Sequence, residues 1–151
     1  MHTFVLVPGG WHGGWAWQPV AKHLRAAGFE AFTVTMPGLA DGSSRSLTLG
    51  DVQQSLMQDQ SLDAQELLFE LLVPHPGGYM LDALDVDTVT AVGIPASYIL
   101  SEDDRALARP GPEFAARLEL TPLLVPGSHE SLLTHPAQIA QALIECVKSD
   151  R

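Results

Sequence analysis

Short apolar runs that end in glycine- or proline-rich turns alternate along the chain with segments of helical periodicity. The β-branched and aromatic runs predict buried strands, and apolar positions three or four residues apart predict helices that face a sheet. The predicted strands cover residues 3–7, 29–36, 96–100 and 122–126. The predicted helices cover residues 19–27, 62–72 and 113–118, and a last one begins at Pro136. Short connections between strands and helices predict βαβ units with parallel strands.

This alternation predicts the α/β class, with a small doubly wound parallel sheet of about four strands flanked by helices. A chain of 151 residues suits one domain with one core, so we expect residues 1–151 to form a single domain. Residues 51–93 interrupt the pattern and are interpreted as an acidic cap- or lid-like insertion.

The net charge of −10 is unevenly distributed. Residues 51–104 hold 11 acids and no Lys or Arg, whereas the segments on either side are nearly balanced. An excess of acid opposes binding to nucleic acid or to an anionic membrane surface. The acidic middle of the chain is therefore either a solvated face or an interaction surface for another protein.

The apolar runs are of strand length, which predicts no membrane-spanning segment. A charged leader followed by an apolar stretch is also missing, and the single Cys146 cannot form an internal disulfide. These features predict a reducing, cytoplasmic compartment.

Chemically reactive residues follow the predicted strands. The first strand ends in the Gly-rich turn 8–15, the third in Asp103 and Asp104, and the fourth in His129. The carboxyl ends of parallel strands meet at the sheet edge where such folds bind ligands. A carboxylate beside a histidine fixes the imidazole tautomer that a general base needs. The sequence therefore predicts His129 and Asp104 as catalytic residues, with Asp103 as the rival acid.

The Gly-rich turn supplies further candidates for substrate binding. The backbone N–H groups of Gly10 and Trp11 are predicted to stabilise a developing oxyanion. His12 either orders the turn or contacts substrate, and Trp15 is a candidate for lining an apolar pocket. His75, between two prolines, either orders a loop or reaches the same pocket.

The histidines lack metal-ligand spacing, and neither a Walker loop nor a G-x-G-x-x-G pattern occurs in the sequence. No metal and no other cofactor is therefore predicted.

Three segments together resemble α/β-hydrolases of the branch that contains salicylate-type esterases and hydroxynitrile lyases. Residues 5–17, VLVPGGWHGGWAW, are similar to the oxyanion turn of that branch, with Pro8 where members usually have His. Residues 98–107 resemble its acid-bearing strand end, and residues 125–129 resemble its His loop. The resemblance covers residues 3–42 and 66–148 and implies Asp104 and His129 as the acid and the base.

The nucleophile elbow of that family, G-x-S-x-G on a strand-to-helix turn, is missing here. The nearest segment, Gly42–Ser46, lacks the second glycine and a preceding apolar strand. The chain is therefore interpreted as a reduced α/β-hydrolase fold without its central strands. Closing the gap would place strand 96–100 beside strand 3–7 and give the sheet order second, first, third, fourth. Alternatively, a second copy of the chain would cover the exposed edges. We expect the small closed sheet, in a chain that forms a homodimer.

Three functions are compatible with the sequence. The first is an enzyme without a serine nucleophile, in which a His-Asp general base performs lyase-, cyclase-type or hydrolytic chemistry on a small apolar carbonyl or ester substrate. The second is a catalytically inactive, truncated α/β-hydrolase that serves as a binding scaffold. The third is an interaction protein that uses the acidic middle of the chain. We expect the first, with a small molecule as its substrate and neither nucleic acid nor membrane as a partner.

Overall fold

The structure, a computed structural model, describes residues 2–36, 48–75 and 91–149. The strands in this part of the chain are β1 (Thr3–Leu6), β2 (Glu30–Thr33), β3 (Ile99–Ser101) and β4 (Leu123–Val125). The helices are α1 (Gln18–Ala26), α2 (Leu49–Asp51), α3 (Leu62–Leu71), α4 (Gly111–Arg117), α5 (Ser131–Thr134) and α6 (Pro136–Ser149). A 3₁₀ turn over Gly14–Trp17 precedes α1, and a π-helical turn over Val52–Leu56 continues α2. The predicted α/β class and the parallel direction of the strands are confirmed.

The strands form two separate parallel ladders, β1 with β2 and β3 with β4. Within the described residues β1 and β3 are not hydrogen-bonded to each other, so the predicted order second, first, third, fourth is wrong at that junction. A cavity of about 260 Å³ lies against β3 and is lined in part by Trp17. The Trp17 indole N–H donates to the carbonyl of Val7, just after β1. The cavity and the Trp17 side chain therefore lie beside β3, at the position where pairing with β1 was predicted.

The main core lies between α1, α6 and the strands. Val20 and Leu24 of α1 are fully buried, and they pack in one cluster with Ile139, Ala140 and Ile144 of α6. Burying one side chain of this size contributes about 1.5–3 kcal/mol. The apolar stripes that predicted these two helices thus form the contact that joins them.

Helix α3 buries only part of its apolar stripe. Leu68 and Leu72 are buried in a second cluster with the π-helical turn. Leu67 and Leu71, predicted on the same stripe, are 57% and 46% exposed. They border an open apolar groove of about 750 Å³ between α1 and α3.

Two of the predictions fall on residues outside the described part of the chain. The segment Gly42–Ser46 lies there entirely, as do residues 76–90 of the acidic insertion. The cap or lid role of residues 51–93 stays a prediction. In the described residues no helix has the length and apolar character needed to cross a membrane.

Candidate active site

The ends of β3 and β4 bring Asp104 and His129 together. Nδ1 of His129 lies 2.9 Å from Oδ2 of Asp104. The other carboxylate oxygen, Oδ1, accepts a hydrogen bond of 2.9 Å from the Ala106 N–H. Asp103 and Glu102 are exposed. Of the three acids that follow β3, it is therefore Asp104 that faces the histidine.

The loop after β4 is shaped by Gly127. Its φ of +98° lies in the left-handed region that favours glycine, and a Cβ there would come within 2.5 Å of the His135 ring. The Gly127 carbonyl accepts a hydrogen bond of 3.1 Å from the Asp103 N–H. This bond continues the β3–β4 pairing into the loops and holds Asp104 beside His129.

The Gly-rich turn after β1 passes close to His129. A cavity of about 120 Å³ is lined by Gly10, Trp11, His12 and His129, among other residues. The His12 N–H closes the turn on the Gly9 carbonyl at 3.4 Å. Trp11 has a φ of 62°, a region that costs a residue other than glycine about 1–2 kcal/mol. Strained backbone of this kind is concentrated at functional sites.

The segment after α3 holds Trp11 from its other side. The Val73 N–H donates to the Trp11 carbonyl at 2.9 Å, and the Trp11 N–H donates to Nδ1 of His75 at 3.4 Å. The two rings are also in contact, with centroids 5.9 Å apart. These contacts hold the Gly-rich turn against the segment that follows α3, and the predicted contact of His75 with substrate stays a prediction. An oxyanion at the Trp11 amide would have to displace His75.

Trp15 lies in a different pocket. It packs against the His12 ring, with centroids 5.5 Å apart, and it lines the groove between α1 and α3 rather than the cavity of His129. The structure therefore brings Gly10, Trp11 and His12 to His129 but not Trp15.

Glu130 is a site residue that the sequence reasoning missed. Its side chain is 1% exposed, and Oε1 lies 3.2 Å from Nε2 of His12. Burial on its own would lower the pKa of His12, but the contact with Glu130 and its negative charge, helped by the Gly10 carbonyl, raise that pKa instead. The one signal in the sequence is an acid placed directly after His129 and before an apolar helix.

The other side of His129 faces the cavity beside β3. That cavity is lined by Tyr98, Asp104 and a buried pair of hydroxyls, Ser101 and Ser131, whose Oγ atoms lie 2.6 Å apart. Burial, and then the charge of Asp104, raise the pKa of the Tyr98 phenol. Throughout residues 2–36, 48–75 and 91–149 there is no group of three or more His, Cys, Asp or Glu side chains that could hold a metal ion.

Comparisons with solved structures identify the fold. The chain superposes on an extracellular α/β-hydrolase from a Paenibacillus species with a TM-score of 0.82 and 14% identity, covering 97% of this chain and 99% of that one. That protein is described as sharing structural and functional homology with tobacco salicylic acid binding protein 2. A mutant of polyneuridine aldehyde esterase superposes with a TM-score of 0.76 and 12% identity, covering 95% of this chain and 98% of that one. A methylesterase from Arabidopsis superposes with a TM-score of 0.75 and 14% identity, covering 97% of this chain and 99% of that one. The chain has an α/β-hydrolase fold.

The sequence comparison adds a relative with a named activity. Over 84 residues the chain is 37% identical to the carbendazim hydrolyzing esterase of Nocardioides sp. (strain SG-4G). This match covers 54% of the chain and 34% of that protein, so the chain matches about a third of the length of its curated relative. No protein-family model matches the chain. Its relative is thus an esterase, and the predicted resemblance to esterases with this fold is confirmed.

Proposed function

We propose that the chain is a hydrolytic enzyme of esterase type, in which His129 acts as a general base towards water and no serine becomes acylated. One observation carries the proposal: Nδ1 of His129 faces Asp104 at 2.9 Å while the ring lines a cavity beside the Gly-rich turn. The Asp104 side chain is 10% exposed and that of His129 is 36% exposed. The acid is therefore sheltered from solvent, and the base is accessible to water.

Each nitrogen of the His129 ring has a role in this proposal. A carboxylate only accepts, so Nδ1 carries the hydrogen that faces Asp104 and Nε2 is the basic nitrogen. Nε2 takes a proton from water as the water oxygen bonds to the carbonyl carbon of the ester. The bond from that carbon to the alkoxy oxygen then breaks, and the imidazolium returns its proton to the departing alcohol. Asp104 stays ionised and stabilises the imidazolium.

The negative charge that develops on the carbonyl oxygen needs hydrogen-bond donors. The amides of Gly10 and Trp11 supply them in this proposal, and His75 leaves the Trp11 N–H when substrate binds. The adjoining cavity of about 120 Å³ is below the 300–1,000 Å³ usual for ligand pockets. It therefore suits a small acyl group, with the rest of the substrate outside.

The partial similarity to an esterase favours hydrolysis over lyase or cyclase chemistry. The relative is named for the hydrolysis of carbendazim. We therefore propose small esters as the substrate class and include carbendazim among the compounds to test.

The test is the hydrolysis of p-nitrophenyl acetate and carbendazim by the full chain. The His129→Gln variant is expected to lower kcat/KM by about 10²–10⁴-fold, because it removes the base. The matched control is His23→Gln, which changes an exposed histidine on α1 and is expected to leave the rate unchanged. The time course should show no burst, and a serine-directed phosphonate should leave the chain unlabelled.

Three results would contradict this function. Hydrolysis by His129→Gln at the wild-type rate would exclude the general-base role. Stoichiometric labelling of a serine by the phosphonate would replace the direct attack of water with an acyl-enzyme route. A folded wild-type chain that hydrolyses neither compound would favour the binding scaffold.

A further inference from the structure

Glu130 and His12 form a buried acid and imidazole pair that the proposed reaction does not use. His12 is 8% exposed and Glu130 is 1% exposed. His12 belongs to the turn after β1, whereas Glu130 directly follows His129 in the loop after β4. Their contact, 3.2 Å from Nε2 to Oε1, therefore joins the two turns that border the cavity.

The contact of the second ring nitrogen of His12, Nδ1, indicates where the ring carries hydrogen. Nδ1 lies 2.6 Å from the carbonyl oxygen of Gly10, and because a carbonyl only accepts, Nδ1 must carry a hydrogen. Nε2 faces the carboxylate of Glu130, which favours a hydrogen on that nitrogen as well. At 3.2 Å Nε2 and Oε1 form an ion-pair contact rather than an aligned hydrogen bond, and in the described residues neither Nε2 of His12 nor either Glu130 oxygen has a hydrogen-bond partner. A buried carboxylate without a counter-charge is unfavourable, so the pair is best satisfied by an imidazolium.

The Gly10 carbonyl is linked rigidly to the next amide. The carbonyl of Gly10 and the N–H of Trp11 belong to one planar peptide unit and point in opposite directions. A hydrogen bond from His12 that fixes the carbonyl therefore also fixes the direction of the Trp11 N–H. That N–H is one of the two proposed oxyanion donors, and it belongs to a residue with a strained φ of 62°.

We propose that Glu130 is a positioning residue: its carboxylate keeps His12 doubly protonated, and His12 holds the Gly10–Trp11 peptide in the orientation that the site needs. The effect on catalysis rests on the proposed function, whereas the effect on the turn does not. Other ionisable groups lie near the turn: His129 with Asp104 at the cavity, and His75 on the Trp11 amide.

The experiment is nitrogen NMR of the histidine rings and backbone amides in the full ¹⁵N-labelled chain. In the wild type both ring nitrogens of His12 should carry hydrogen at neutral pH. Glu130→Gln keeps the size of the side chain and removes its charge, so His12 should lose one hydrogen at the same pH and the Trp11 amide signal should shift. The matched control is Glu70→Gln, an exposed acid on α3, which should change neither signal.

If the wild-type chain hydrolyses esters, steady-state kinetics provides a second measurement. Misalignment of the Trp11 amide, one of the two proposed oxyanion donors, should lower kcat of Glu130→Gln by about 10- to 100-fold, with KM within about twofold of the wild type. A wild-type His12 with one bare ring nitrogen at neutral pH would overturn the proposal, and this measurement decides it even if the variant does not fold. A His12 signal unchanged in Glu130→Gln would also overturn it. A doubly protonated His12 that loses a hydrogen in Glu130→Gln, in a chain without esterase activity, would support the positioning pair and reject only the proposed function.

Discussion

Asp104 and His129 are 25 residues apart in the chain, yet Oδ2 of the first lies 2.9 Å from Nδ1 of the second. The Asp104→Asn variant keeps the shape of the side chain, but its amide group also allows the imidazole tautomer with hydrogen on Nε2. We expect kcat for ester hydrolysis to fall by about 10³–10⁴-fold, because that tautomer has no basic nitrogen facing water. Steady-state rates with p-nitrophenyl acetate measure this effect.

The neighbouring acid provides the control for this variant. Asp103 is exposed, and its backbone N–H rather than its side chain bonds the Gly127 carbonyl. Asp103→Asn should therefore leave kcat within about twofold of the wild type. Equal losses in the two variants would show that the site responds to net charge and not to the Asp104–His129 contact.

The raised pKa of His12 predicts how stability depends on pH. The folded state holds the His12 proton more tightly than the unfolded state, whose pKa lies near the ordinary value of 6.5. The contribution of this proton to the free energy of unfolding is complete below pH 6.5 and is lost as the pH rises through the folded value. Urea titrations from pH 5.5 to 8.5 should show this fall in the wild type.

A comparison with the His12→Gln variant separates the contribution of His12 to the unfolding free energy from that of the other histidines. His12→Gln cannot bind the proton, so the difference in unfolding free energy between the wild type and this variant should shrink as the pH rises. A difference that stays constant over the whole range would argue against a raised pKa.

The hydroxyl pair behind His129 gives a prediction on stability alone. Ser101 and Ser131 are buried, with Oγ atoms 2.6 Å apart. Ser131→Ala leaves the Ser101 hydroxyl unsatisfied and should cost about 1–3 kcal/mol. Replacement of both by Ala should cost less than the sum of the two single changes, by about 0.5–3 kcal/mol. Denaturant unfolding of the four proteins measures this coupling, and strictly additive losses would mean that the hydroxyls do not interact.

Gly14 is placed where the turn approaches the end of β2. A Cβ on Gly14 would lie 2.9 Å from the Val34 carbonyl oxygen, and the Gly14 N–H donates to Oγ1 of Thr35 at 2.9 Å. Gly14→Ala should therefore destabilise the fold by about 1–3 kcal/mol. Gly50→Ala, in α2, is the control: a Cβ there meets only Oγ1 of Thr48 at 3.5 Å, and the change should stabilise by about 0.5–1 kcal/mol. Equal midpoints of thermal unfolding for the two variants would contradict this reasoning.

The sequence was sufficient to predict the contact between Asp104 and His129, because each follows a strand and parallel strands end at a common edge. The helices α1 and α6 could also be predicted from the sequence, because their apolar periodicity reflects the burial of Val20, Leu24 and Ile139. These predictions depend on local patterns and on one topological rule.

The sequence could not predict the sheet order or the role of Glu130. Whether β1 pairs with β3 depends on what lies between them in space, and the apolar pattern of a strand does not specify its neighbour. Glu130 is an acid in a loop, a position where solvent exposure is the usual outcome. Its carboxylate contacts His12, more than a hundred residues earlier in the chain, and no local pattern encodes that contact.

The two ladders share no backbone hydrogen bonds in the described residues. The packing of α1 against α6 is the main contact that connects them. Asp104 and His129 follow the strands of the second ladder, whereas Gly10 and His12 follow the first. The spacing between the proposed base and its oxyanion turn is therefore set by side-chain packing rather than by a fixed strand register. A substitution such as Leu24→Val, at a residue that lines neither cavity beside His129, would change catalytic alignment without altering any group that touches the substrate.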